Sequence, residues 1–321
     1  YHAPPPDSLA LVVEPLAAPT YPAGHAAELR ARIVDQMPPD SVVLFLRPTA
    51  AGFYRGYTMH PASGYEYAAS VPAADLREGP AEFVIATYRG GVPTTYPGGI
   101  PRRPWDWDYY GGDSWKLDVV GPATPLTLFA PRSDAARLTF TRIGDAGRRG
   151  LFRLGVSGAT GQALFHLELP VDGSGWSPPD YTASLVIADR IAARKESMAR
   201  ADSVHLRLRG LGARQLLHLT LMEDDGTSWT AAVPVDSSWS DRSLPLSAFT
   251  AGRGVLLPQG FPGEWSYWVG PASGRGGAGD RPRLDRVERL QISLRGEQGI
   301  KATAGGYGVE IERVWLGFGR P

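Results

Sequence analysis

The chain of 321 residues contains no cysteine and no asparagine, and lysine occurs only at positions 116, 195 and 301. Without cysteine the chain has no disulfide and no thiolate-bound metal, and both reducing and oxidising compartments remain open to it. No apolar run approaches the length that crosses a bilayer, so we expect no transmembrane segment. Because almost every cation is arginine, the positive groups are planar and well suited to stacking and to interfaces.

Charge of neither sign is in excess. Lysine plus arginine number 33, and aspartate plus glutamate also number 33. Nucleic-acid binding requires a basic face, and binding to anionic lipid requires a basic cluster. The equal numbers of acidic and basic residues therefore argue against both kinds of partner. We therefore expect no nucleic-acid partner.

Glycine and proline, by contrast, are frequent, with 39 and 29 residues. This punctuation favours short strands joined by many turns, and the length allows two domains with separate cores. The sequence predicts an all-β chain of two β-sandwich domains, over residues 1–120 and 126–321, with a short stiff linker at 121–125. We interpret the opening YHAPPPDS, which lacks methionine, as a mature terminus exposed by cleavage or as a trimmed end.

The first domain contains seven short segments with strand-like patterns, whose spacing predicts an immunoglobulin-like sandwich. The corner formed by Val71-Pro72, Leu76 and Gly79, followed by the aromatic-rich strand 83–88, resembles bacterial immunoglobulin-like domains. The resemblance implies a fold and no particular function. The predicted strands are 9–13, 27–34, 41–47, 53–59, 65–70, 81–88 and 115–120.

In the second domain, apolar and polar residues alternate over 204–209, which predicts a strand with one buried face. The strand LRLRG at 206–210, the hairpin LTLMEDDGTSW at 219–229 and the segment from Trp239 to Phe249 resemble a galactose-binding-like jelly roll. That fold occurs in carbohydrate-binding modules and in complex-I intermediate-associated proteins, so the resemblance implies either sugar binding or protein assembly.

The remaining elements of the second domain are predicted from the same alternation, and one short helix is predicted at 189–201. Trp229, Trp239 and Trp315 lie within or beside these patterns and are predicted to be core residues. The strands are 126–130, 137–143, 151–156, 163–169, 183–187, 216–222, 228–235, 290–294 and 309–318.

No catalytic motif stands out. The six histidines have no metal-ligand spacing, no nucleophile elbow occurs, and the Gly-rich run 274–279 lacks the flanking strand and helix that phosphate binding requires. Glu223 and Asp224 are interpreted as residues of a hairpin turn. We expect no enzyme activity and no cofactor. A structural calcium remains open, with the loop carboxylates Asp134, Asp145, Asp172 and Asp180 as candidate ligands.

Two aromatic clusters lie in Gly- and Pro-rich segments, the insertion 96–114 and the loop 256–283. Each loop either folds its rings over an open end of its own sandwich or forms an interaction surface, since Trp and Tyr are large, rigid and amphipathic. Flat rings would serve a carbohydrate equally well. The predicted interaction surface is Arg102, Arg103, Trp105, Trp107, Tyr109 and Tyr110, and the alternative ligand platform is Phe261, Trp265, Tyr267 and Trp268.

These features favour a non-catalytic, membrane-extrinsic structural subunit that braces a larger membrane protein complex through loop aromatics and arginines. The two-domain plan and the asparagine-free, arginine-rich composition resemble the extrinsic S subunit of the reaction-centre–light-harvesting complexes of Gemmatimonadota, which implies protein partners and a role in photosynthesis. The alternative is a carbohydrate-binding accessory protein with a polysaccharide ligand. Both interpretations place the chain outside the cytoplasm, on the periplasmic face of a membrane or at the cell surface.

Overall fold

The computed structural model of the chain describes residues 11–49, 52–109, 113–143, 151–158, 160–169, 180–212, 215–255, 267–268, 275–277, 279–295 and 307–319. The chain divides into two compact units, residues 1–122 and 123–321. Both are β-sandwiches, so the predicted all-β fold is confirmed. Among the residues described, no helix is long and apolar enough to cross a membrane. The predicted mature terminus, residues 1–8, lies outside the described residues.

In its described residues, unit 1 contains nine strands. They are β1 (Val12–Pro15), β2 (Thr20–Pro22), β3 (Ala27–Val34), β4 (Ser41–Pro48), β5 (Arg55–Ser63), β6 (Glu66–Val71), β7 (Gly79–Arg89), β8 (Val92–Tyr96) and β9 (Trp115–Val120). The first half of β5 pairs with β4 and its second half with β6, so this strand joins two layers. One layer is β1-β3-β6-β5 and the other is β5-β4-β7-β9-β2, the strand order of an immunoglobulin-like sandwich.

Strand alternation builds the core of unit 1. On β3, Leu29, Ala31 and Ile33 point into the sandwich, and the charged residues between them face solvent. The β7–β8 hairpin turns at Gly90 and Gly91, whose φ angles of 56° and 79° suit the left-handed region that glycine adopts without strain. β8 was not predicted from the sequence, and neither was β2, which runs parallel to β9.

Unit 2 contains fourteen strands and two short helices among its described residues. They are β10 (Leu126–Phe129), α1 (Pro131–Asp134), β11 (Thr139–Ile143), β12 (Leu151–Val156), β13 (Ala163–Leu169), β14 (Asp180–Val186), α2 (Ala188–Ala193), β15 (Ala201–Gly210), β16 (Gln215–Glu223), β17 (Ser228–Val235), β18 (Ser240–Pro245), β19 (Thr250–Ala251), β20 (Gly254–Val255), β21 (Tyr267–Trp268), β22 (Val287–Leu294) and β23 (Tyr307–Phe318). Sheet I has the order β12-β13-β23-β15-β18, with β10 also on β23. Sheet II has the order β11-β14-β22-β16-β17-β19.

The core of unit 2 lies between sheets I and II, as in a jelly roll. Trp229 is fully buried there, as predicted. Trp239 and Trp315, also predicted as core, are instead half-buried on the outer face of sheet I, because neighbouring strand positions point to opposite faces. The helix predicted at 189–201 is shorter: α2 ends at Ala193, and a 3₁₀ turn follows over Lys195–Arg200.

Part of the outer face of sheet II is covered by another segment of the chain. β20 crosses it, and Gln291 fixes β20 by accepting a hydrogen bond from the Val255 amide (2.9 Å) and donating one to its carbonyl (2.6 Å). A Cβ at Gly254 would collide with the ends of the Met222 and Ser228 side chains, so any larger residue would force them to move. His218 points to the same outer face, and burial lowers its pKa from 6.5 to about 4.

Glu223 anchors the polar end of the β16–β17 hairpin. Its side chain is fully buried and accepts hydrogen bonds from the Trp229 indole (2.8 Å) and from the Arg283 amide (2.8 Å) and Nε (2.5 Å). Arg275 also pairs with Glu223, at 3.2 Å, and lies over the Trp229 ring. Glu223 is therefore the last residue of β16 and, as predicted, the first residue of the turn, since its carbonyl accepts a hydrogen bond from the Gly226 amide (2.9 Å). Its side chain also fixes residues 275 and 283 to the hairpin, a role that the sequence did not predict.

We expect Glu223→Gln to lower the free energy of unfolding of unit 2 by about 3 kcal/mol, because it removes the charge from a buried group with two cationic partners. The neighbouring Asp224→Asn is a matched control. Asp224 pairs with Arg286 in solvent, so its loss is expected to cost less than about 1 kcal/mol. Urea unfolding followed by circular dichroism measures both variants, and equal losses would show that Glu223 is not the anchor.

Candidate functional site

The outer face of the β5-β4-β7-β9 layer of unit 1 is apolar where most sandwiches are polar. Phe45 on β4 and Val84 and Ala86 on β7 are buried there, on the side away from the core. Val43, Tyr54 and Tyr88 pack against them, and from the insertion between β8 and β9 the Trp105 ring meets the Phe45 ring edge-to-face at 4.8 Å. The insertion therefore packs on the outer face of the sheet, which corrects the expectation that its rings close an open end.

Hydrogen bonds hold together residues 95–109 of the insertion. Thr95 and Ile100 exchange backbone hydrogen bonds of 2.8 and 2.9 Å, and the Thr95 hydroxyl donates to the Arg102 carbonyl (2.5 Å). Arg102 forms an ion pair with Asp108 (2.7 Å), and Asp106 accepts a hydrogen bond from the Arg103 amide (2.8 Å). This part of the loop is thus structured by its own contacts.

Three aromatic side chains of this region remain in solvent, and we name them the aromatic patch: Phe53, Trp105 and Trp107, exposed by 94%, 53% and 90%. Arg47 and Phe45 are neighbours on the same outer face of β4. Tyr54 stacks over Arg47, with the guanidinium 4.3 Å from the ring, just as Trp105 packs on Phe45. Phe53 precedes Tyr54 and Trp107 follows Trp105 by two residues, so both belong to segments that pack on neighbouring positions of β4.

A buried carboxylate lies beside the apolar part of this face. Glu82 accepts hydrogen bonds from Arg47 Nε (2.6 Å), from the Ser114 hydroxyl (2.7 Å) and from Lys116. Burial by itself raises the pKa of the Glu82 carboxyl, but the three donors outweigh burial and lower the pKa to about 2. Glu82 is thus ionised at any physiological pH, and it ties the end of the insertion, at Ser114, to β7.

Tyr54 and Tyr109 complete the covered part of the face. Burial raises the pKa of both phenols, and each phenol lies within electrostatic range of Arg47. Both therefore stay neutral, and the Tyr109 hydroxyl is buried. The polar groups beside the aromatic patch are the ion pair of Arg102 and Asp108 and the exposed Arg103. This mixture of an apolar centre and a polar rim is typical of protein–protein interfaces.

The residues predicted as the interaction surface fall into three groups. Trp105 and Trp107 are the exposed rings, and Arg102 and Arg103 are exposed beside them. Tyr109 is half-buried under the loop. Tyr110 lies outside the described residues. Phe53 was not predicted; the only signal in the sequence was a large apolar residue between Gly52 and Tyr54.

Unit 2 offers a second surface, on the outer face of sheet I. Arg209 pairs with Glu310 (2.6 Å), whose other oxygen lies 3.2 Å from His166 Nδ1. Arg207 pairs with Glu312 (3.0 Å) and with Asp241 (3.0 Å). Burial raises the pKa of Glu310, but Arg209 and His166 outweigh it, so the pKa is lowered. We name this row of residues, together with Trp239 and Trp315, the charged face.

Both tryptophans of the charged face contact cations. The guanidinium carbons of Arg207 and Arg209 lie 5.9 and 5.3 Å from the centre of the Trp239 ring. Trp315 lies 4.1 Å from the Arg313 guanidinium and stacks on His205, with ring centres 5.3 Å apart. The face therefore presents rings and hydrogen-bonding groups side by side.

The side chains of the alternative ligand platform lie outside the described part of the structure. Phe261 and Trp265 lie outside the described residues, and only the backbone of β21 places Tyr267 and Trp268, opposite Val255 and Gly254.

Two of the four candidate calcium ligands are described, and both lie against cations. Asp134 is buried in an ion pair with Arg190, whose guanidinium also donates to the Leu128 carbonyl (2.9 Å). Asp180 lies 3.6 Å from Arg253. Across the described ranges no group of three metal-ligating side chains occurs. Asp145 and Asp172 lie outside those ranges.

No protein-family model matches the chain, and no curated protein matches it in sequence. Among solved structures, an exo-beta-agarase is 12% identical over 62% of this chain and 26% of that chain, with a TM-score of 0.36. The structure of PfGH50B is 12% identical over 55% of this chain and 23% of that chain, with a TM-score of 0.29. The chain thus spans about a quarter of the length of these proteins, and both TM-scores are below the level at which a likeness bears on function.

We expect Glu82→Gln to destabilise unit 1 by about 1–2 kcal/mol at pH 7, because Arg47 and Lys116 lose an ionised partner but stay partly in solvent. The wild-type carboxyl, with its pKa lowered to about 2, contributes stability above pH 4.5, and that contribution is lost as the pH falls from 4.5 to 2. The variant is expected to lose less stability over that range. Urea unfolding at a series of pH values measures the difference.

The matched control is Glu66→Gln, since Glu66 lies 3.7 and 3.9 Å from two partly exposed arginines. We expect its effect to stay below about 1 kcal/mol. An effect as large as that of Glu82→Gln would contradict the assignment of Glu82 as the buried anchor.

Proposed function

We propose that the protein is a non-catalytic docking subunit of a larger membrane-associated protein assembly, outside the cytoplasm, and that the aromatic patch is its docking surface. The observation that carries this proposal is the exposure of Trp107, 90%, on a loop that ion pairs and backbone hydrogen bonds already hold in place. Trp105 and Trp107 expose two large rings within three residues, and exposed apolar groups that cluster are a typical sign of a protein-binding surface.

The rigidity of the loop supports a docking role. Association costs conformational entropy when loops and side chains become ordered, and a loop that is already fixed avoids most of that cost. Trp is also the residue type most enriched among side chains that dominate binding energy. A bracing subunit would use these properties to hold neighbouring subunits with few contacts.

Trp107→Ala is expected to release the protein from its assembly without unfolding it, because the Trp107 side chain is almost entirely in solvent. Loss of a central Trp is expected to weaken attachment about 30-fold or more. Membranes from the source cells are solubilised gently and sedimented on a gradient, and the bound fraction of added wild-type and variant protein is compared by mass spectrometry.

Tyr65→Ala is the matched control, since Tyr65 is an exposed aromatic residue on the same unit but on the β5–β6 turn. It is expected to sediment with the assembly like the wild type. Equal attachment of Trp107→Ala, Phe53→Ala and wild type would remove the aromatic patch from the proposal. Sedimentation of the wild type alone, near its own mass, would overturn the docking function itself.

A second function, polysaccharide binding by unit 2, is supported by a separate observation. The charged face combines the Trp239 ring with Arg, Glu and His side chains in one row, and sugars are recognised by stacking on rings together with hydrogen bonds to polar groups. On this function the protein would be an accessory that retains a glycan.

We expect Trp239→Ala to abolish retention on a polysaccharide gel if unit 2 binds glycans, and Trp107→Ala to leave retention unchanged. Affinity electrophoresis over a panel of neutral and acidic polysaccharides gives the comparison. If no polysaccharide retards the migration of the wild-type protein, this second function is excluded. The sedimentation experiment then decides whether the protein has the docking function.

A further inference from the structure

β12 forms an edge of sheet I. Within the described residues it pairs with β13 alone, in the register Leu151↔Glu168 through Val156↔Ala163. The Ser157 amide donates to the Gln162 carbonyl (2.8 Å), which marks that pair as a hydrogen-bonded one. Because such pairs alternate along an antiparallel ladder, the backbone groups of Phe152, Leu154 and Val156 point away from β13, toward the open edge.

The same edge exposes apolar side chains. Leu154 and Val156 lie on the core side of the sheet, opposite Phe165 and Ala163 of β13, yet they are exposed by 53% and 70%. An edge strand whose backbone groups no described strand pairs, and whose apolar side chains are exposed, is a template for another strand.

Charge protects the opposite edge of sheet I but not this one. β18 carries Asp241, Arg242 and Pro245, the residue types that discourage strand addition. The single charge in β12 is Arg153, whose backbone groups point to β13 and not to the edge.

We propose that β12 pairs with β12 of a second copy of this chain, antiparallel and centred on Leu154, so that two sheets I become one continuous sheet. In this register Leu154 faces Leu154 of the other copy and Phe152 faces its Val156, so all three edge-directed residues find partners. Arg153 falls opposite a Gly155, and no like charges face each other directly. A register centred on Arg153 would instead oppose two arginines.

The proposed contact is small. A pairing of six residues per copy falls well below the roughly 800 Å² per partner of a standard interface. We therefore expect a weak, concentration-dependent dimer. It does not depend on the aromatic patch or on the charged face, so it stands or falls separately from the proposed functions.

The test uses charge at the centre of the pairing. Leu154→Lys and Leu154→Glu each place like charges opposite one another, and each is expected to weaken dimerisation at least tenfold. Mixed in equal amounts, the two variants oppose Lys to Glu, and we expect them to form a heterodimer. Sedimentation velocity over a concentration series measures the mass, and circular dichroism verifies that both variants fold.

Val12→Lys is the matched control, because Val12 is similarly exposed on β1, an edge strand of unit 1. It is expected to dimerise like the wild type, as is Trp107→Ala. A wild type that stays monomeric at every concentration overturns the proposal. So does a wild-type dimer that Leu154→Lys leaves intact, or a variant pair that does not associate on mixing.

Discussion

In each unit a buried carboxylate gathers donors from segments far apart in the chain. Glu82 takes hydrogen bonds from β4, from β9 and from the end of the insertion, and Glu223 takes them from Trp229 and from residues 275 and 283. A buried charge is tolerated only when its partners are in place, so each carboxylate fixes the residues that it binds: Ser114 in unit 1, and Arg275 and Arg283 in unit 2. The exposed rings of Trp105 and Trp107 lie on the neighbouring segment 95–109 of unit 1, which its own hydrogen bonds hold together.

Segments outside the main ladders cover parts of the outer faces of the sheets. In unit 1 Trp105 packs on Phe45 and Tyr54 packs on the same apolar cluster, and in unit 2 β20, held by Gln291, covers part of sheet II. A covered outer face lets a strand be apolar on both sides, which increases the buried apolar area of a given sheet. It also separates two kinds of aromatic residue: rings that pack on the sheet, such as Trp105, and rings left over for a partner, such as Trp107.

The period-two pattern predicted many strands well, and 115–120, 151–156, 163–169 and 228–235 agree with the structure to the residue. The short or polar strands β2, β8 and β18 were missed, because each contains proline and has too few apolar residues to show a pattern. The apolar run 42–46 was predicted only as a strand, and its burial on both faces was not inferred. What lies over the outer face depends on a loop without periodicity, so the packing of Trp105 on Phe45 could not be predicted from local sequence.

The parallel pair of β2 and β9 gives unit 1 a mechanical property. Thr20, Tyr21 and Pro22 lie beside Asp118, Val119 and Val120, and further hydrogen bonds join the Asp118 amide to the Pro19 carbonyl (2.9 Å) and the Ala23 amide to the Val120 carbonyl (2.8 Å). β2 lies near the first residue of unit 1 and β9 near its last residue, and the two strands are parallel. A force that pulls these two chain ends apart would act along both strands, so it would load all of these hydrogen bonds at once, in shear. Strands that peel apart break one bond at a time, so this arrangement resists stretching far better than a hairpin of the same length.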